Sequence, residues 1–76
     1  MNKILFFAHL RDAVGQDSIE FEANGITVAE LKQQIAEKYD LNVDTIMVSI
    51  NEEFAANDDM IQDGDIIAFI PPVSGG

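Results

Sequence analysis

Seventy-six residues permit one small domain, and 47% hydrophobic residues against 24% charged ones supply enough apolar material to fold it. The absence of cysteine excludes a disulfide framework, a thiolate zinc site, an iron–sulfur cluster and a cysteine nucleophile. Four Lys/Arg against fourteen Asp/Glu give a net charge of −10, with Lys38 the last cation. Nucleic acid and anionic membrane surfaces, both held by cations, are therefore poor partners.

Lys3 to Ala8 reads as a strand from its β-rich composition. His9 to Gly15 breaks that pattern and predicts a turn of helix closed by Gly15. Ser18 to Glu22 alternates polar and apolar residues, as a half-buried strand does, and Asn24-Gly25 signals a turn. Thr27 with Glu30 three residues on is a capping-box pattern. Val28, Leu31, Ile35 and Tyr39 then form one apolar stripe, while Lys32, Gln33, Gln34, Glu37 and Lys38 face solvent. Thr45 to Ile50 reads as a third strand, Asn51-Glu52-Glu53 as its turn and Phe54-Ala55 as a short fourth strand. Asp58 to Asp65 is turn-rich, and Ile66 to Ile70 is the last strand, stopped by Pro71-Pro72.

One amphipathic helix against a mixed sheet of four or five strands is an α+β two-layer domain. The first and last strands are apolar on both faces, as strands buried on both sides are. One helix covers only one face. Either both strands are central and the outer face carries an apolar patch, or the chain oligomerises. Strand parity puts Ile4, Phe6, Ile67 and Phe69 inward and Phe7, Phe54 and Ile70 outward. The acids fit a basic protein partner met by electrostatic steering, and equally a plain solubilising role. Apolar runs are too short to span a bilayer, and no signal-peptide pattern opens the chain, so a cytoplasmic location is expected.

Side-chain chemistry is sparse. His9 is the only histidine, and it reads as a surface or loop residue. Ser18, Ser49 and Ser74 read as ordinary hydroxyls. Asp58-Asp59 and Asp63-Gly64-Asp65 lack the spacing of a calcium loop and its final Glu, so no metal site is expected. Asn24 to Thr27 is no phosphate loop. The remaining feature is the terminal Pro71-Pro72-Val73-Ser74-Gly75-Gly76. One reading is a frayed chain end. The other is a tail held a short distance from the last strand and stiffened by two prolines. Its glycines could enter a channel too narrow for side chains and present a carboxylate to another protein. A carboxylate needs activation to react, most simply adenylation by ATP on a partner. Displacement of AMP by sulfur would then leave a thiocarboxylate.

The sequence resembles the molybdopterin synthase small subunits, ubiquitin-like β-grasp sulfur carriers, along essentially its whole length. The resemblance is carried by Ile4-Leu-Phe-Phe-Ala-His-Leu-Arg-Asp with Gly15, Thr27-Val28 with Leu31, and Val48-Ser-Ile-Asn51. Asp63-Gly-Asp65 and Ala68-Phe-Ile-Pro-Pro-Val-Ser-Gly-Gly complete it. Thiazole-pathway carriers share the DGD and Gly-Gly elements. Ubiquitin-related modifiers share the fold and the Gly-Gly end.

The resemblance implies a mixed four- to five-stranded β-grasp sheet on one main helix, with residues 1–70 as the domain and 71–76 as an extended tail. It implies that Gly76 is adenylated by a ubiquitin-activating-enzyme-like adenylyltransferase using ATP and magnesium, and then converted to a thiocarboxylate. Gly75 and Pro71, Pro72, Val73 and Ser74 would thread into the large synthase subunit, where sulfur passes to a cyclic pyranopterin precursor. Phe7, Phe54 and Ile70 would form the docking patch, with Arg11 at its edge; many members carry an aromatic where Ile70 stands. The chain would be non-catalytic alone, bind no cofactor itself, and act as the sulfur-donating subunit of a heterotetrameric sulfurtransferase. The alternatives are a thiazole-pathway carrier, a ubiquitin-like modifier, or a β-grasp interaction domain with an inert tail.

Overall fold

A computed structural model describes residues 1–72. In it the chain runs β1 (Asn2–Phe6), α1 (His9–Val14), β2 (Ser18–Phe21), α2 (Val28–Tyr39), β3 (Met47–Ile50), β4 (Glu53–Ala55) and β5 (Ile66–Ile70). The five strands form one sheet in the order β2-β1-β5-β3-β4. β1 and β5 pair in parallel and the other neighbours antiparallel, so the sheet is mixed. The two strands that are apolar on both faces are thus internal and adjacent.

Register follows the expected parity. Ile4 pairs with Ile67 and Phe6 with Phe69, and all four side chains are buried on the inner face. The α2 stripe of Val28, Leu31 and Ile35 closes over them, with Val48 and Ile61 in the same cluster. Each such burial contributes roughly 1.5–3 kcal/mol. Phe6 stands edge-on to both Phe69, at 5.8 Å between centroids, and Tyr39, at 6.2 Å. These edge-to-face pairs join the sheet to the last turn of α2.

Several boundaries differ from the sequence expectation, each for a local reason. Ala8 takes φ 53° and ends β1 at Phe6, leaving Phe7 outside the strand. The Ile46 N–H donates to Val43 O in a turn, so β3 begins at Met47 rather than at Thr45. The capping box is half formed. Thr27 Oγ1 accepts from the Glu30 N–H at 3.2 Å, but its hydroxyl donates to the Glu30 carboxylate. The next two amides of α2 find carbonyls elsewhere: Val28 N–H donates to Asp59 O and Ala29 N–H to Asn57 O, both at 3.0 Å. This docking of 57–61 onto the helix start carries Ile61 into the core, from a stretch that otherwise reads as acidic turn.

Asn2 is the buried polar residue that ties the ends of the fold together. Its Nδ2 donates to Gln62 O at 2.7 Å and Asp65 O at 3.1 Å, and its Oδ1 accepts from the Ala23 N–H at 3.1 Å. Beside it, the N-terminal ammonium donates to Asp63 and lies 3.8 Å from Glu22; the hydrogen bond to Asp63 is the main cause of its raised pKa. No helix of the described residues is long and apolar enough to cross a membrane.

Candidate docking site

Among the described residues no helix or strand covers the face of the sheet away from α2. Strand register lays its residues in rows. The central row runs Leu5–Ala68–Ser49–Phe54 across β1, β5, β3 and β4, and a second places Ile70 beside Met47. Two small side chains, Ala68 and Ser49, make the floor and are nearly inaccessible, at 8% and 6% exposed. Phe7, Phe54 and Ile66 rise around them at 46%, 71% and 46% exposed, with Ile70 half-buried. The result is a mainly apolar groove of about 540 Å³ lined also by Asn51 and Glu52. A phenylalanine as exposed as Phe54, at the rim of an apolar groove, is characteristic of a surface that another protein covers.

The end of the groove is built by two separated motifs that meet. Asn51 and Glu52 take φ 51° and 73°, forming a two-residue turn between Ile50 and its partner Glu53. Two positive φ angles are the signature of a type I′ hairpin, which suits the twist of the strands. Asn51 then bonds the start of β5. Its Nδ2 donates to Asp65 Oδ1 at 2.9 Å, its Oδ1 accepts from the Ile66 N–H at 2.9 Å, and its own N–H donates to Ile66 O. Asp65 Oδ2 accepts from the Gln62 N–H at 2.9 Å, closing the turn in which Gly64 takes φ 86°. Asp59 similarly accepts from the Ala56 N–H at 2.8 Å. The Asp58–Asp65 stretch thus uses two of its carboxylates to close turns. Among the described residues no cluster of three or more His, Cys, Asp or Glu is gathered for a metal.

The structure brings Phe7, Phe54 and Ile70 together in the one groove. Arg11 is placed elsewhere. It is exposed on α1, with Nε 3.5 Å from Asp17, and is not among the groove-lining residues. Pro71 is buried against the fold and Pro72 is exposed, so the surface-accessible exit begins one residue later than the sequence implied. Val73, Ser74, Gly75 and Gly76 lie outside the described residues. His9 is exposed at the start of α1. The floor residues Ser49 and Ala68 were not singled out by sequence reasoning, although the parity that turned Ile67 and Phe69 inward also turns Ala68 outward.

Residues 4–76 match the ThiS family. The chain belongs to the ThiS family. This ThiS-family chain is 38% identical to the molybdopterin synthase sulfur carrier subunit of Escherichia coli, with all of both chains covered. It is 35% identical to that of Haemophilus influenzae, again over all of both chains. Among solved structures it is similar to a protein from Pyrococcus furiosus described as molybdopterin converting factor, subunit 1. That similarity has a TM-score of 0.82 at 25% identity, covering 95% of this chain and 97% of the other. The ubiquitin-like β-grasp reading of the sheet and helix is thereby established at the level of the whole fold.

Proposed function

We propose that this chain is the sulfur carrier of a molybdopterin synthase, delivering sulfur for molybdenum cofactor assembly from a thiocarboxylate on Gly76. The observation that carries the proposal is the full-length similarity to chains of that name, which extends through the Gly75-Gly76 end. The fold fits a carrier. The groove beside the chain exit offers a surface for a protein that would do the chemistry.

In the proposed cycle a ubiquitin-activating-enzyme-like adenylyltransferase binds the chain with ATP and magnesium. The Gly76 carboxylate attacks the α-phosphate and pyrophosphate leaves. A sulfur nucleophile then displaces AMP from the acyl carbon. The carrier next docks on the large synthase subunit through Phe7, Phe54 and Ile70, with Pro72 to Gly75 spanning from the fold to the active site. The thiocarboxylate sulfur there attacks the cyclic pyranopterin precursor, and water then cleaves the resulting thioester, leaving the sulfur on the precursor and Gly76 as a carboxylate. Two side-chain-free residues at the end keep the acyl carbon accessible in a narrow channel. No protein metal or cofactor takes part on the carrier's side.

The test is reconstitution of molybdopterin formation from the thiocarboxylated chain, the large subunit and the precursor. Product is expected with the intact chain and none with the chain lacking Gly76. Equal product from both would refute the assignment of sulfur to the terminus. Restoration of thiazole synthesis rather than molybdoenzyme activity in carrier-deficient cells would move the chain to the thiazole pathway.

A further inference from the structure

We infer that Ala68 and Ser49 determine which partner the outer face accepts. Together they form a seat for one bulky apolar side chain, carried on a segment of the large synthase subunit with a basic neighbour. This rests on the docking role proposed above and specifies the chemistry of what docks.

Within β5 the residues are Ile66, Ile67, Ala68, Phe69 and Ile70, and the single small one lies at the centre of the outer face. Its cross-strand neighbour Ser49 is also small. Among the described residues no helix or strand lies over either one, since α2 packs on the other face, and their burial comes from the flanking groove side chains. A β-branched residue at either position would suit a central strand better, so the fold itself does not call for small side chains there. Their effect is to sink the middle of the face below Phe7, Phe54 and Ile66 and so create the groove.

The floor also contains a polar atom. Ser49 is 94% buried (6% exposed), and its hydroxyl makes no side-chain hydrogen bond among the described residues. No fully buried side-chain nitrogen or oxygen there lacks a partner, so this oxygen retains access to the groove. A docked segment that carries a donor or acceptor next to its apolar side chain would satisfy it.

Charge identifies the neighbour. Glu52 lines the groove in a chain of net charge −10. Three of the four cations are engaged: Arg11 with Asp17, Lys32 with Ile46 O, and Lys38 over the Phe21 and Tyr39 rings. The fourth, Lys3, stands beside Ile66 on the same face but outside the groove lining. Glu52 is the one charged residue of that lining and can meet a Lys or Arg on the partner.

The experiment is calorimetric titration of the full chain, as wild type and as Ala68→Leu, Ser49→Val and Ser49→Ala, into the purified large subunit. Melting curves and sedimentation of each carrier alone accompany it. Ala68→Leu and Ser49→Val fill the seat and are expected to weaken binding about tenfold or more with little change in melting temperature. Ser49→Ala keeps the space and removes the hydroxyl, and a loss of only a few-fold is expected. If the wild type binds and both filled variants bind equally well, the seat is refuted while the docking reading stands. If Ala68→Leu does not fold, Ser49→Val decides. A wild type that fails to bind at all overturns the docking reading and this inference with it. A wild-type homodimer that either filled variant disperses would assign the groove to a second copy of this chain and overturn the choice of partner.

Discussion

The two faces of the sheet are made by the same strands and obey opposite rules. Inward, β1, β3 and β5 present Ile4, Phe6, Val48, Ile67 and Phe69, large side chains that interlock beneath α2. Outward, the alternate positions of those strands present Ser49 and Ala68 as a small-residue floor, walled by Leu5, Ile66 and Ile70 and by exposed Phe7 and Phe54. The inner face is what the domain needs in order to fold. The outer face stabilises the isolated domain little, and its large aromatics become favourable only when another protein removes them from water. Apolar residues alone therefore do not distinguish core from interface; the distribution of size across the face does.

Substitutions sharpen this contrast. Phe69→Ala, which empties the inner face, should destabilise the domain by about 3–5 kcal/mol in denaturant unfolding. A loss under about 1 kcal/mol would mean that the inner face is far less tightly packed than the structure has it. Asn2→Ala should cost about 2–3 kcal/mol, because it leaves the Ala23 N–H and the Gln62 and Asp65 carbonyls without their partner. Asn2→Asp keeps the acceptor for Ala23 but sets a carboxylate against two carbonyls, and should be no better tolerated. Thr27→Ala removes the one cap on the Glu30 amide and should cost about 1 kcal/mol by the same measurement. Phe54→Ala should change stability least, by about 0.5 kcal/mol or less, while weakening association with the large subunit more than tenfold. Should Phe54→Ala instead unfold the domain, the division of labour between the faces would be wrong.

Much of this organisation is legible in the sequence, where the signal is local. The 3–4 spacing of Val28, Leu31 and Ile35 gives α2, and Gly15 closes α1 as expected, with φ 86°. The inward and outward assignment of β1 and β5 also follows from alternation alone. What stayed hidden depends on residues far apart in the chain. Asn2 looks like an ordinary polar start to a strand, and its hydrogen-bond partners lie 21 to 63 residues away. Ile61 sits in an acidic stretch whose only regular pairing is a single bridge to the start of α2. The meeting of Asn51 with Asp65 gives a structural reason for two motifs that the sequence offers only as resemblance. Arg11 was placed at the patch edge by analogy alone, and the structure turns it toward Asp17. Ser49 and Ala68 acquire meaning only once five strands are in register, because no local pattern distinguishes a groove floor from an ordinary pair of small strand residues.

The central claim is that the chain carries sulfur on its last residue. Its most direct test is intact-protein mass spectrometry after incubation with ATP, magnesium, an adenylyltransferase of the activating family and a sulfur donor, with the chain lacking Gly76 alongside. The account predicts a mass increase corresponding to sulfur in place of one oxygen, in the intact chain only and localised to Gly76 by fragmentation. An unchanged mass, with the same enzyme converting another carrier in parallel, would contradict it and leave a β-grasp binding domain whose glycines end the chain without chemistry.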